Sequence, residues 1–190
     1  MGAAMRAFCL WARLCPFFVL ESVMKKSRFL AYGALIAALY VALTYLQNAL
    51  IPGSASWAIQ FRASEALCAL ALFTPAAIPG LTLGCLLFNI SFVGALPLDW
   101  LVGSGASLLA TAGMYALRKV TVKGYPLFAM LLPAITNAFL VGWELSVYIG
   151  GGFWLNALYV AIGELAVLLT LGTALYYGLR TRNLDKRLFG

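Results

Sequence analysis

The stretch Gln60-Phe61-Arg62-Ala63-Ser64-Glu65-Ala66-Leu67 opens an apolar segment that continues to Phe73 and ends at Thr74-Pro75. It contains an arginine and a glutamate three residues apart. Ionisable side chains are costly within a membrane, where they usually line a pathway or bind a ligand. The stretch therefore predicts a short membrane span, residues 60–73, with a functional group at one end.

The composition of the rest of the chain is that of an integral membrane protein. The 190 residues are 64% hydrophobic and 10% charged, whereas soluble domains carry about 25% charged residues. A spanning helix needs about 20 apolar residues, and the apolar runs are separated by short breaks with proline or glycine. We predict an all-α bundle of six membrane spans, at residues 29–50, 60–73, 76–92, 98–117, 126–149 and 153–179.

The basic residues predict how these spans are oriented. They form three clusters, before the first span, between the fourth and fifth, and after the sixth: Lys25, Lys26 and Arg28; Arg118, Lys119 and Lys123; Arg180, Arg182, Lys186 and Arg187. Cytoplasmic loops carry an excess of lysine and arginine, so both termini are predicted to be cytoplasmic. The net charge of +7 is then a signal of topology, and we expect no nucleic-acid partner.

The chain divides into three parts along its length. Residues 24–182 form the predicted membrane domain, which we expect in a bacterial cell membrane, and residues 183–190 form a basic cytoplasmic tail. Residues 1–23 are an N-terminal extension in which Arg6, Arg13 and Pro16 interrupt the apolar stretch. We interpret this extension as an upstream start or as a segment at the membrane interface, because it lacks a clear signal-peptide pattern.

Several classes of chemistry lack the residues that they need. The sequence has no histidine and no C-x-x-C pair, so we expect neither a metal site nor a histidine-based nucleophile. It also has no G-x-x-x-x-G-K-[ST] phosphate loop. We therefore expect no enzyme activity and no cofactor in this chain, and any ATP-driven step would need a separate ATPase subunit.

The polar residues within the apolar spans converge on the outer half of the predicted bundle. Glu164, the deepest, lies about 16 Å into the sixth span at 1.5 Å per residue. The candidate substrate-binding residues are Arg62, Glu65, Asn89, Asp99, Asn137, Glu144 and Glu164. Three tryptophans at the outer side, Trp57, Trp100 and Trp154, are candidates for stacking on a ligand or covering it.

Other interpretations of some of these residues remain open. Arg62 and Glu65 can pair with each other, Asp99 can be the N-cap of its helix, and the tryptophans can form an interfacial belt. Glu144 and Glu164 are harder to explain, since only Arg62 is a basic residue deep enough to neutralise them. A carboxyl group in an apolar environment is protonated, paired or bound to a ligand.

The residue types at the site suit a flat heterocycle with amino groups. Aromatic rings stack on its faces, and a carboxylate accepts two N–H donors from a guanine-like edge. A second carboxylate can face an ammonium group through charge-assisted hydrogen bonds. The residues alone do not distinguish such a ligand from a cationic vitamin.

The first span carries a stripe of small residues that bears on contacts with partner subunits. Ala34, Ala38 and Ala42 recur every four residues along the first span, and small residues at this spacing let another helix approach closely. The stripe is a docking face for a partner subunit, a contact within the bundle, or simple alanine richness.

Several motifs together resemble a known family. They are Gln60 to Leu67; Phe73-Thr74-Pro75-Ala76-Ala77-Ile78-Pro79-Gly80; Asp99 with Gly103-Ser104 and Leu108-Leu109-Ala110-Thr111; Asn137; Gly142-Trp143-Glu144-Leu145; and Gly163-Glu164. Over about residues 25–182 the sequence resembles the QueT-type membrane proteins.

The resemblance implies a substrate-binding S component of an energy-coupling factor transporter for queuosine precursors. These are 7-deazaguanines such as queuine and its aminomethyl and cyano relatives. It also implies a six-helix bundle that captures substrate on the outside, a separate transmembrane coupling subunit, and two ATPase subunits that use ATP. In such S components small residues of the first span dock on the coupling subunit, and Ala34, Ala38 and Ala42 match that pattern.

Three other functions compete with this one. A stand-alone proton-coupled secondary transporter of a small cationic or heterocyclic solute would use Glu144 and Glu164 as proton carriers, but the sequence shows no internal repeat of the kind common in such transporters. An intramembrane enzyme lacks a nucleophile–base pair. A purely structural subunit would not need buried carboxyl groups.

Overall fold

A computed structural model describes residues 26–53 and 61–189 of the chain. The N-terminal extension, Gln60 and Trp57 lie outside the described residues, so the predictions made for them stay predictions.

Within the described ranges all regular structure is helical, apart from an isolated bridge between Val122 and Tyr125. The all-α prediction is therefore confirmed. The elements are α1 (Lys26–Leu50), a 3-10 helix (Ala63–Leu72), α2 (Ala77–Ser91), α3 (Asp99–Leu117), α4 (Leu127–Tyr148), α5 (Phe153–Val167), a π-helical turn (Leu168–Gly172), α6 (Thr173–Thr181) and α7 (Leu184–Phe189).

Four helical segments are long and apolar enough to cross a membrane: α1, α3, α4 and the continuous run Phe153–Thr181. The 3-10 helix and α2 are apolar but shorter. Large apolar side chains such as Leu87, Ile90, Phe128 and Phe139 are exposed on the outside of the bundle. A surface of this kind suits contact with lipid rather than with water.

The segment that begins at the Arg62–Glu65 stretch is the central element of the fold. The sequence predicts a span at residues 60–73, and the structure forms a 3-10 helix in which every residue from Ser64 to Leu72 is buried. At about 2.0 Å per residue its ten residues rise about 20 Å, less than the roughly 30 Å of a hydrocarbon core. Neighbouring helices surround it, so it contacts protein on all sides.

Glycines on α2 allow close contact with α1. A Cβ atom at Gly80 would lie 2.7 Å from the Gly33 carbonyl oxygen of α1, and one at Gly84 would lie 2.8 Å from Tyr40 Cβ. Real Cβ contacts do not approach so closely. Both positions therefore need glycine for α1 and α2 to pack at this distance.

The alanine stripe of α1 faces the other way. Ala34, Ala38 and Ala42 are all exposed, while the buried face of α1 includes Ile36 and Tyr40. The interpretation of the stripe as a contact within the bundle is therefore wrong. A docking face remains a prediction.

Gly80→Ala tests the α1–α2 contact. The added methyl group must displace backbone, so we expect the variant to lose about 1–3 kcal/mol of stability, measured as a lower midpoint of thermal unfolding in detergent. Gly105→Ala on α3 is the matched control, because a Cβ there meets nothing within 4 Å and alanine favours the helix by up to about 1 kcal/mol. Equal midpoints for the two variants would contradict the close contact.

Candidate functional site

A cluster of buried polar side chains lies inside the bundle. All seven non-aromatic candidates from the sequence are buried: Arg62, Glu65, Asn89, Asp99, Asn137, Glu144 and Glu164. They come from the 3-10 helix and its N-cap, α2, α3, α4 and α5. Buried charged groups need partners, and the partners found here differ from one carboxyl group to the next.

Glu65 is held by two donors. The Tyr40 hydroxyl of α1 donates a hydrogen bond of 2.5 Å to Glu65 Oε1, and the Cys68 thiol donates one of 3.2 Å to Glu65 Oε2. Tyr40 and Cys68 are themselves fully buried. Both carboxylate oxygens of Glu65 thus have hydrogen-bond donors that are themselves buried in the bundle.

Further polar residues of α1 hold the start of the 3-10 helix. The Thr44 hydroxyl lies 2.7 Å from the Ser64 hydroxyl, to which it donates. Gln47 donates to the Phe61 carbonyl and accepts from the Ala63 N–H at 2.6 Å. In an apolar interior the free backbone groups at a helix start must find such partners.

Arg62 is the N-cap residue of the 3-10 helix, and its guanidinium carbon lies 5.9 Å from the centre of the Phe88 ring. Its side chain lines the same cavity as Glu65 and Glu164. An isolated Arg62–Glu65 pair is therefore too narrow an interpretation, because Arg62 places a positive charge near more than one carboxyl group.

Asp99 is the first residue of α3, and the N-cap residue is Leu98. The interpretation of Asp99 as an N-cap is wrong, because its carboxylate bonds back to the preceding loop, where Leu96 N–H donates to Asp99 Oδ2 at 2.9 Å. Asn89 Nδ2 of α2 donates to the Asp99 carbonyl at 2.8 Å. This contact needs Gly103, where a Cβ would lie 2.8 Å from Asn89 Nδ2.

Glu144 differs from the other carboxyl groups. Its side chain is 0% exposed, and neither of its oxygens has a hydrogen-bond partner among the residues that the structure describes. A buried carboxyl group without a donor is costly, so Glu144 needs a partner that the described residues do not supply.

Glu164 and Asn137 join α5 to α4. Asn137 Nδ2 donates to Glu164 Oε1 at 2.7 Å, whereas Glu164 Oε2 is buried without a partner in the described part of the chain. A single free carboxylate oxygen beside an amide can accept N–H donors from a ligand edge.

Four of the seven candidates, Arg62, Glu65, Asn137 and Glu164, line a small cavity of about 10 Å³ together with Cys85, Gly103, Ser107 and Val141. A cavity of this size has room for about one water molecule. A fused bicyclic ligand is much larger, so binding one here requires the surrounding helices or loops to move apart.

The family model described as QueT transporter matches residues 30–181. The chain belongs to the QueT transporter family. This confirms the family resemblance found in the sequence, and with the apolar helices it identifies the chain as a membrane protein of a transporter family. No curated protein and no solved structure matches it.

In this QueT-family chain two of the three candidate tryptophans, Trp100 and Trp154, lie within the described residues. Trp100 is 45% exposed and Trp154 is 76% exposed, and neither lines the cavity. Their exposure is consistent with an interfacial belt. Their roles in stacking or covering a ligand stay predictions, as does that of Trp57, which lies outside the described residues.

Sequence reasoning missed the residues of α1 that support the site of this QueT-family protein. Tyr40, Thr44 and Gln47 lie on the buried face of α1. Their spacing of four and then three residues puts polar groups on one face of an otherwise apolar helix. That pattern indicates that α1 makes polar contacts with a neighbouring helix.

Tyr40→Phe tests whether Glu65 depends on α1. The variant removes the only side-chain donor to Glu65 Oε1 among the described contacts, so a buried carboxylate oxygen loses its partner at a cost of about 1–3 kcal/mol. We expect a lower midpoint of thermal unfolding in detergent.

Tyr45→Phe is the matched control, since its hydroxyl donates to Ser91 at an exposed position. It should change the midpoint little. A Tyr40→Phe variant as stable as Tyr45→Phe would show that Glu65 does not need the Tyr40 hydroxyl.

Proposed function

We propose that this chain is the substrate-binding S component of an energy-coupling factor importer, and that its substrate is a 7-deazaguanine precursor of queuosine. Membership of the transporter family is established. The substrate class and the coupling mechanism are inferred from the sequence resemblance. Substrate binds in the buried polar cluster from the outer side of the bundle.

The unsatisfied acceptors of the cluster are the observation that carries the proposal. Both Glu144 oxygens, Glu164 Oε2 and Asn89 Oδ1 are buried without a partner in the described ranges. Buried polar groups in proteins nearly always have hydrogen-bond partners, and exceptions need an explanation. A 7-deazaguanine supplies several N–H donors on a flat ring, which is the kind of ligand that this set of acceptors requires.

Six spans with both termini in the cytoplasm provide the framework of the proposal. The 3-10 helix and α2 act as short spans inside the bundle, and the three basic clusters lie on the cytoplasmic side of a bacterial cell membrane. With this orientation, Asp99 and Glu144 lie towards the outside, where substrate is captured.

Energy comes from partner subunits in this proposal. The sequence contains no phosphate loop of the Walker A type, so two ATPase subunits use ATP and act through a transmembrane coupling subunit. The exposed stripe Ala34, Ala38 and Ala42 is the docking face for that subunit. Its small side chains leave room for a close helix contact in the bilayer.

Substrate entry requires the cavity to widen. The loop between α4 and α5 contains Gly150, Gly151 and Gly152, all with φ between 82° and 87°, a region that glycine adopts without strain. Because α4 carries Glu144 and α5 carries Glu164, movement in this loop would change the space between the two halves of the site.

Ligand binding to the purified chain in detergent tests the substrate class. We expect tight binding of a 7-deazaguanine and no binding of thiamine. Glu164→Gln should weaken binding by about 10- to 100-fold, the range expected when a hydrogen bond to a charged group is lost. Asp185→Asn, which lies in α7 away from the cluster, is the control and should bind normally. Failure to bind any deazaguanine would refute the substrate assignment.

Ala38→Trp tests the docking face. A large side chain there should block the coupling subunit, so uptake into proteoliposomes containing the full transporter is lost while substrate binding to the isolated chain is kept. Leu87→Trp, at an exposed position of α2, should keep both.

Normal uptake by Ala38→Trp would contradict the proposed docking face. Uptake by this chain alone that an uncoupler abolishes would instead favour a proton-coupled secondary transporter.

A further inference from the structure

A larger cavity lies at the other end of the 3-10 helix from Arg62. It has a volume of about 440 Å³, and its lining includes Leu72, Phe73, Arg118, Tyr176, Arg180 and Asp185. Pockets that bind small molecules in proteins measure about 300–1,000 Å³, so this cavity has the size of a ligand site. Its lining residues differ from those of the small cavity beside Glu65 and Glu164. The two cavities are therefore separate.

Two arginines from different parts of the chain line this larger cavity. Arg118 directly follows α3 and Arg180 lies in α6. Arg118 Nη1 donates to the Tyr115 carbonyl oxygen. Arg180 Nη1 donates to the Gly124 carbonyl oxygen at 3.1 Å and to the Tyr176 hydroxyl. A guanidinium group carries five N–H donors, so both arginines keep further donors for a ligand after one nitrogen of each has bonded to the protein.

Asp185 adds a carboxyl group to the same cavity. Its Oδ1 atom is buried and has no hydrogen-bond partner among the described residues, although both arginines line the cavity with it. Buried acceptors in proteins nearly always have a donor, and exceptions need an explanation. The cavity thus combines N–H donors on two cations with an acceptor that the described residues leave unsatisfied.

The charges of the lining match those of a phosphodiester. Two guanidinium groups and one carboxylate leave one positive charge in excess, and a phosphodiester carries a single negative charge. Arginine binds phosphate oxygens through paired, charge-assisted hydrogen bonds. A phosphodiester whose alcohol part carries an O–H or N–H group would also supply the donor that Asp185 Oδ1 needs.

The position of the cavity indicates that the phosphodiester belongs to a membrane lipid. Arg118 and Arg180 lie at the ends of two helical segments that are long enough to cross a membrane, and under the proposed orientation these ends face the cytoplasm. Basic pockets between membrane helices on the cytoplasmic side bind phospholipid head groups. Leu117 and Tyr177, each next in sequence to a lining residue, are exposed and provide apolar surface for acyl chains.

We propose that this cavity is a phospholipid head-group site, in which Arg118 and Arg180 bind the phosphodiester and Asp185 accepts a hydrogen bond from the rest of the head group. Phosphatidylglycerol has hydroxyl donors in that position and phosphatidylethanolamine has an ammonium group, whereas phosphatidylcholine has no donor there. The site therefore prefers the first two lipids to the third. This inference goes beyond the proposed function and does not depend on which substrate the chain carries.

The test measures the thermal unfolding midpoint of the purified full chain in non-ionic detergent while each lipid is added. A ligand that binds only the folded protein raises the midpoint with its concentration, which gives an apparent dissociation constant. Wild type should bind phosphatidylglycerol and phosphatidylethanolamine about 10-fold more tightly than phosphatidylcholine, as expected when a hydrogen bond to a charged group is gained. Inorganic phosphate should not reproduce the shift.

Arg180→Gln tests the phosphodiester contact. It should weaken the binding of all three lipids by about 10-fold or more. Each variant is compared with its own lipid-free midpoint, so a loss of stability is not mistaken for a loss of binding. Arg118→Gln is a second variant with the same expectation, in case Arg180→Gln does not fold. Arg182→Gln is the matched control, because it removes the same charge at an exposed position that does not line the cavity. It should bind all three lipids as wild type does.

Asp185→Ala tests the acceptor. It should remove most of the preference for phosphatidylglycerol and phosphatidylethanolamine and should not weaken the binding of phosphatidylcholine. This pattern distinguishes a contact with the head-group substituent from a general loss of the site.

Each contrary outcome overturns a defined part of the proposal. Equal weakening by Arg180→Gln and Arg182→Gln, or no effect of any lipid on wild type, would refute the site, since the arginines would then act only through surface charge or through their bonds to the protein. Equal affinities for the three lipids, or a preference that survives Asp185→Ala, would refute the role of Asp185. A shift reproduced by inorganic phosphate would refute the lipid as the source of the phosphate group. All of these outcomes leave the proposed function intact, because that function is tested by deazaguanine binding.

Discussion

The hydrogen bond from the Tyr40 hydroxyl to Glu65 is the contact on which the rest of the site depends. It fixes the central 3-10 helix to α1, with Thr44 and Gln47 holding the same segment one and two turns further along. Because Arg62 is the N-cap of this helix, fixing the helix also fixes the positive charge that lines the cavity with Glu65 and Glu164. A change on α1 that releases Glu65 would thus disturb the electrostatics of the whole cluster.

The helical segments were predictable because a membrane imposes length and apolar composition on them, and because proline and glycine end them. The 3-10 conformation of Ala63–Leu72 was not predictable, since an apolar run of ten residues has the same composition in either helix type. Its complete burial depends on the contacts of the surrounding helices. The exposure of the Ala34–Ala42 stripe likewise depends on which face of α1 the glycines of α2 contact.

The convergence of the polar residues was predictable from a single physical constraint. Ionisable groups within apolar helices avoid lipid and turn towards the bundle interior, so seven candidates on different helices are all buried. Their individual partners were not predictable, because a hydrogen bond depends on distances of a few tenths of an ångström. Asp99 shows this: its helix begins at the residue itself, and its carboxylate accepts from Leu96 N–H rather than capping α3.

Under the proposed function, the same atoms govern both the stability of the protein and substrate binding. A buried acceptor without a donor costs about 1–3 kcal/mol, and Glu144 alone has two such oxygens among the described residues. A purely structural core would have replaced such a side chain with an apolar one, which often stabilises a protein. Under the proposed function, a ligand that donates to these oxygens recovers that cost when it binds, so the same acceptors that lower the stability of the protein give affinity for the substrate. The cavity of about 10 Å³ holds far less than a fused bicyclic ring, so the binding energy must also drive the surrounding helices apart.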